Sequence, residues 1–221
     1  MESAAELDHE VKFVLPASAV AAARLLLRAA ARPEQPYPAG VVESIYFDTP
    51  RLDALAEKRA SDYRKAKLRL RWYDGGGAVF FESKVRTGSR RAKRRAIAGL
   101  DGAELSRVGL PAARFGDPAA LALLLGEPLA ADLSPVVHLR YRRERFVVAG
   151  GPRVNLDTAL EVRGVAPRWG GGPIVARLAA AVLELKGAGR ELPPVLASLA
   201  RLGCRRGSYS KYAAAIAALG V

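Results

Sequence analysis

The segment Tyr63-Arg64-Lys65-Ala66-Lys67-Leu68-Arg69-Leu70-Arg71-Trp72-Tyr73 alternates without a break. Lys65, Lys67, Arg69 and Arg71 share one parity; Ala66, Leu68, Leu70 and Trp72 share the other. Period two marks a strand with one cationic and one apolar face. Four like charges on one face repel unless water or an anion screens them. Two readings stay open: a solvated face of an arginine-rich protein, with 27 Arg against 8 Lys, or a face built to meet an anion.

The neighbouring sequence repeats the pattern. Asp74-Gly75-Gly76-Gly77 is a hairpin signal, and Ala78–Val85 follows as an antiparallel partner. Glu82 and Lys84 share one face there, and Val79, Phe81 and Val85 the other. Arg90–Ile97 is expected as a third strand, with Arg91, Lys93 and Arg95 on one face. Further out, Leu7–Leu15 alternates Asp8, Glu10 and Lys12 against His9, Val11, Phe13 and Leu15. Val41–Phe47, Pro135–Val148, Arg153–Leu160 and Ala181–Lys186 also read as strands. Helices are expected over Ala17–Ala31, Arg51–Arg59 with Pro50 at its start, Leu100–Leu129 with breaks, Pro193–Arg201 and Ser208–Leu219. Val165–Pro173 reads as a loop.

The 221 residues allow one large domain or two small ones, and half of them are hydrophobic, enough for a substantial core. No internal repeat or linker is evident, so one domain over residues 1–221 is expected. The net charge is +13. Between Arg64 and Arg95, twelve basic residues face only Asp74 and Glu82, which concentrates most of that excess in one segment. Such a field calls for a polyanionic partner: nucleic acid, acidic lipid or a phosphate-rich molecule. No apolar run reaches the roughly 18 residues of a membrane span. Ala17–Ala31 comes nearest, but Arg24 and Arg28 interrupt it, so neither a signal sequence nor membrane insertion is expected. The single Cys204 fits a reducing, cytoplasmic setting and reads as a packing residue. Neither a Ser-His-Asp nor a Cys-His set is evident among two histidines, His9 and His138.

At least seven strands with one charged face leave two arrangements. The charged faces turn to solvent while the apolar faces meet, or the sheet curls into a barrel whose lumen holds the charges under a cover of helices. The expected class is therefore α+β: an antiparallel β-barrel tunnel with helices packed outside. Cations filling a lumen need a bound polyanion. Carboxylates among them, Asp8, Glu10, Glu82 and Glu184, are candidate ligands for Mg²⁺ or Mn²⁺ bridging to phosphate. A salt bridge remains the other reading of Glu10, Glu82 and Glu184.

Asp8-His9-Glu10-Val11-Lys12 resembles the first-strand signature of the triphosphate tunnel metalloenzymes, the CYTH superfamily. Ser44–Pro50 (SIYFDTP), Lys67–Tyr73 (KLRLRWY), Phe80–Lys84 (FFESK), Tyr141–Phe146 (YRRERF), Arg153–Thr158 (RVNLDT), Leu183–Lys186 (LELK) and Ser208–Tyr212 (SYSKY) continue the series in order. Together they are similar to the VTC domain, the polyphosphate polymerase branch. The resemblance implies a transferase that moves the γ-phosphate of ATP onto a growing polyphosphate chain in a basic tunnel, releasing ADP, with Mn²⁺ or Mg²⁺. It implies catalytic roles for Lys12, Arg69, Arg71, Lys84, Arg143, Arg153 and Lys211. It implies phosphate contacts for Lys67, Lys93, Arg95 and Ser210, and metal contacts for Glu184, Glu10 and Glu82. Asp8 departs from the family's Glu. Partners are then ATP and inorganic polyphosphate rather than nucleic acid. The membrane segment and SPX-type domain of eukaryotic members are absent, so a free-standing, bacterial-type form is expected, with a membrane-protein partner left open. Two rivals remain: a tunnel triphosphatase or cyclase, and a non-catalytic binder of polyphosphate or nucleic acid. Trp72 and Tyr73 read as packing residues.

Overall fold

A computed structural model describes residues 10–60, 63–88, 90–108, 133–164, 174–187 and 191–220. Asp8, His9, most of the expected 100–129 helical region and the expected loop at 165–173 lie outside them. The structure separates into two compact units. One comprises Met1–Gly40, Tyr141–Leu160 and Leu178–Ser210; the other comprises Val41–Arg140, Glu161–Arg177 and Lys211–Val221.

In the first unit, β1 (Glu10–Pro16) pairs antiparallel with β10 (Ala180–Lys186), which pairs with β8 (Arg153–Gly164). The short β2 (Ala31–Pro33) pairs with β7 (Ser134–Val148), and β11 (Arg205–Arg206) flanks β1. Alternation decides which side of each strand is apolar. Val11, Phe13 and Leu15 of β1, Leu183 and Leu185 of β10, and Val154 and Leu156 of β8 form one buried cluster. Helix α1 (Val20–Ala30) covers it with Ala23 and Leu27, and a 3-10 helix (Pro194–Leu202) adds Leu196 and Leu199. Each of the Val, Leu and Phe side chains contributes about 1.5–3 kcal/mol by leaving water. Cys204 belongs to this cluster, and burial pushes its thiol up to about 11, so it packs and stays protonated.

In the second unit, β3 (Ala39–Asp48), β4 (Arg64–Tyr73), β5 (Gly76–Thr87) and β6 (Arg90–Asp101) are successive antiparallel neighbours. The turn after β4 has Asp74 and Gly75 at φ 53° and 72°, the paired positive values that a two-residue hairpin needs. Ile45, Phe47, Leu68, Leu70, Trp72, Val79 and Phe81 make the apolar side, closed by Leu105 of α3 (Gly102–Val108). Strand β9 (Ile174–Leu178) pairs with β8. The last helix, α4, runs Lys211–Ala218.

Several elements differ from the sequence reading: Ala17–Ala19 is a 3-10 turn ahead of α1, Ala31 opens β2, and Leu100 and Asp101 end β6 rather than open a helix. Helix α2 spans Asp53–Arg59 rather than starting at Arg51, because Leu52 takes a left-handed φ of 59° just before it. The 194–202 segment winds as a 3-10 helix rather than an α-helix, and α4 begins at Lys211 rather than Ser208. Strands β2, β9 and β11 were not expected; at two to five residues they are too short to show a period. Among the described residues, no helix is long and apolar enough to cross a membrane.

Candidate functional site

The polar side of the first unit gathers two cations and three carboxylates. Lys12 on β1 lies opposite Glu184 on β10, and Glu184 lies opposite Asn155 on β8. The Lys12 ammonium sits 3.3 Å from Glu10 Oε1 and 3.6 Å from Glu184 Oε1, and donates to the Tyr209 carbonyl at 3.3 Å. Arg143 on β7 donates two parallel bonds to Asp157, 2.6 and 2.7 Å long, and a third of 2.7 Å to Glu184 Oε2. Burial works against the Arg143 charge. Tyr141, Asp157 and Glu184 outweigh it and push its pKa up, so this guanidinium is permanently charged. Such a fork is rigid, because the planar group is held at both ends.

These residues also bear on a divalent ion. Glu10 and Glu184 converge on one ammonium, so their oxygens already meet at a point occupied by positive charge. Among the described residues, no group of three or more His, Cys, Asp or Glu is placed to hold a metal. A Mg²⁺-type ion needs only one or two protein carboxylates when phosphate oxygens supply other ligands. The Glu10–Glu184 pair fits that requirement.

The second unit carries the larger cationic surface. Register places Lys67, Lys84 and Lys93 side by side across β4, β5 and β6. The next row holds Tyr46, Arg69, Glu82 and Arg95, and the row after it Ser44, Arg71, Phe80 and Ile97. Glu82 is the hub. Arg69 donates to its Oε2 through Nε at 2.8 Å and pairs through Nη2 at 2.7 Å. Arg71 Nη1 lies 3.7 Å from the same oxygen, and Arg95 Nε lies 3.3 Å from Oε1. Burial tends to raise the Glu82 pKa, but Arg69, Arg71 and Arg95 hold it below the usual carboxylate range. One carboxylate therefore fixes three guanidinium groups while neutralising one charge. Arg71 is buried and also donates to Ser44 Oγ at 3.1 Å.

Tyr46 reports the field. It is buried, stacked on Tyr212 with centroids 5.3 Å apart, and accepts a bond from Arg69 at 3.3 Å. Burial alone would push its phenol up, but Arg69, Arg71 and Lys67 bring it down to about 8. The Tyr212 hydroxyl donates to Asp48, which also accepts from the backbone N–H groups of Thr49, Ala54 and Leu55.

The sequence-derived site residues are thus distributed unevenly. Lys12, Glu10, Glu184 and Arg143 come together in the first unit. Arg69, Arg71, Glu82, Arg95, Lys67, Lys84 and Lys93 come together in the second. Arg153 does not join a cluster through its observed ion pair; it is exposed and pairs with Glu34 at 3.6 Å. Ser210 and Lys211 are buried on either side of the α4 start. Glu82 is surrounded by arginines rather than by other carboxylates. Asp157, Asn155, Tyr46 and Tyr212 escaped the sequence reading, although each stands inside or beside a motif already quoted. Strand parity puts Asp157 on the same face as Arg153 and Asn155, but nothing in it names Arg143 as its partner.

A family model described as VTC domain matches residues 7–220. Among solved structures, HpAC1 of Hippeastrum, an adenylyl cyclase candidate with a dominant triphosphatase activity, is 18% identical. The likeness covers 95% of each chain with a TM-score of 0.53. An adenylate cyclase candidate of Bacillus halodurans is 15% identical, over 93% of this chain and 94% of the other, with a TM-score of 0.54. No curated protein matches. At such identities the structural likeness speaks for the fold, which is the α+β, antiparallel triphosphate-tunnel fold expected from the sequence.

Proposed function

This chain belongs to the VTC domain family, and from that premise we propose that it is a polyphosphate polymerase, a metal-dependent ATP:polyphosphate phosphotransferase. The carrying observation is the cationic ladder of β4, β5 and β6. A lysine row, Lys67–Lys84–Lys93, adjoins a row of guanidinium groups held by the single carboxylate of Glu82. Such a surplus in successive rows suits a linear polyanion better than one compact phosphate. The family match runs through both compact units, which supports reading them as one domain.

Phosphoryl transfer depends on alignment and charge neutralisation more than on a protein nucleophile. Arg69 and Arg71 grip phosphate oxygens as planar forks, while Lys12, Lys67, Lys84, Lys93 and Lys211 act as point charges. Arg143, locked by Asp157 and Glu184, keeps the carboxylates oriented. Arg153 and Ser210 complete the proposed phosphate contacts. Glu10 and Glu184 would hold Mn²⁺ or Mg²⁺, which neutralises phosphate charge when bound. Glu82 acts here as the counter-ion that arranges arginines, although the family resemblance also suggested metal contact. In the transfer, a terminal phosphate oxygen of the acceptor forms a bond to the γ-phosphorus. The bond from that phosphorus to the β–γ bridging oxygen breaks, and ADP leaves. ATP as donor and the buried free Cys204 thiol support a cytoplasmic location.

A second reading, tunnel triphosphatase, is favoured by the likeness to HpAC1. Incubation of the full chain with ATP and Mn²⁺ separates the two, with products resolved by gel and ³¹P NMR. Long chains together with ADP are expected. Free phosphate without chains establishes the hydrolase instead. Binding without turnover leaves a polyphosphate receptor. Arg69→Ala and Arg71→Ala should each abolish turnover; if both leave it intact, the ladder is not the site.

A further inference from the structure

In the row beyond the Glu82 hub, only Arg71 on β4 is cationic; its partners on β5 and β6 are apolar. There Arg71, Phe80 and Ile97 are cross-strand partners, and Tyr73 follows on the same parity of β4. Ile97 is 67% exposed and Phe80 is only half-buried, on a face that otherwise presents cations. Arg95 ties this row to the hub. Its Nε lies 3.3 Å from Glu82, its Cζ lies 3.6 Å from the Phe80 ring centre, and its Nη2 donates to the Tyr73 hydroxyl at 3.5 Å. Its side chain nevertheless stays 45% exposed. A guanidinium pinned against a phenyl ring, with an exposed aliphatic edge beside it, is a platform on which a flat base can stack. Tyr73, which the sequence suggested as packing, instead helps to fix that platform.

We propose that Arg95, Phe80 and Ile97, steadied by Tyr73, form the subsite for the base of the donor nucleoside triphosphate. This rests on the phosphate-transfer reading and adds a direction to it. Two residues of strand advance about 6.8 Å, so neighbouring rows are about that far apart. The base lies at the β5–β6 end of the Arg71–Phe80–Ile97 row, the triphosphate runs along β4 past Arg71 and Arg69, and the phosphate chain continues over Lys67, Lys84 and Lys93. Recognition is by stacking rather than by base edges, so ATP and GTP bind alike and the smaller pyrimidine nucleotides bind less tightly.

Isothermal titration of the full chain with ATP, and separately with inorganic tripolyphosphate, tests this. Ile97→Ser alters an exposed side chain and Phe80→Leu keeps an apolar one, so both variants should fold, which a urea midpoint verifies. Each should weaken ATP about tenfold and leave tripolyphosphate unchanged. If wild type binds tripolyphosphate but the variants treat both ligands alike, the base subsite is refuted while the phosphate ladder stands. If wild type binds neither ligand, the phosphate reading and the subsite fall together.

Discussion

Tyr46 makes the field of the second unit measurable. Its phenol titrates near 8 in the fold against an ordinary 10.0, because Arg69, Arg71 and Lys67 outweigh the cost of burial. A lowered pKa means that the fold prefers the phenolate. Its stabilising contribution is complete above the unfolded value of about 10 and is lost as pH falls through about 8. Absorbance at the phenolate band should show a transition near pH 8 that Tyr46→Phe removes. Saturating tripolyphosphate should move that transition upward, since a bound anion cancels the field. A transition that ignores the anion would mean that phosphate does not bind near Arg69. Asp157 gives a second test at this scale. It is fully buried and holds Arg143 by two bonds. Asp157→Ala leaves a buried guanidinium with Glu184 as its remaining carboxylate and should cost about 3 kcal/mol in urea unfolding. The cations of β1, β4, β5 and β6 were legible because strand period assigns faces, whereas Arg143 stood out only through the family resemblance, since β7 carries arginines on both parities. The carboxylate partners of these cations were not legible, because a period of two carries no register between distant strands such as β7, β8 and β10.

Among the elements, β4 and its hairpin to β5 were read almost to the residue. The alternation is unbroken, and Asp74-Gly75 supplies both positive φ values of the turn. Helix α2 was misplaced for a definite reason. Pro50 suggested a helix start, but the side chains of Asp48 and Thr49 take the free N–H groups of Asp53, Ala54 and Leu55, which moves the start to Asp53. The same Asp48 accepts the hydroxyl of Tyr212 from α4. The motifs at Ser44–Pro50 and Ser208–Tyr212 therefore share one buried carboxylate that fixes α2 and α4, next to the Tyr46–Tyr212 stack. Asp48→Ala leaves several buried donors unpaired and should lower stability by about 2–3 kcal/mol. Tyr212→Phe removes the hydroxyl that donates to Asp48 while leaving the backbone donors in place, and should cost about 1 kcal/mol, read from the same denaturation curves.

At the scale of the whole molecule, the excess of +13 is a statement about the partner more than about stability. Packed cations that repel in the free protein are relieved by binding, so the energy of association comes largely from releasing small ions held around the polyanion. The counter-ion argument made for nucleic-acid phosphates carries over to any linear phosphate chain: each neutralised phosphate adds close to one unit to the slope of log K against log salt. Long-chain polyphosphate spans the lysine row as well as the arginines, whereas a single nucleotide on Arg69 and Arg71 does not reach as many charges. The salt slope should therefore be clearly steeper for long polyphosphate than for ATP. Lys67→Ala, Lys84→Ala and Lys93→Ala should each reduce the polyphosphate slope by about one unit while leaving the ATP slope nearly unchanged. Fluorescence anisotropy with end-labelled polyphosphate across a salt series measures both quantities. Equal slopes for the two ligands would mean that the lysine row is a solvated strand face, as the rival reading of Lys65–Arg71 holds, and that only the guanidinium hub around Glu82 meets the substrate.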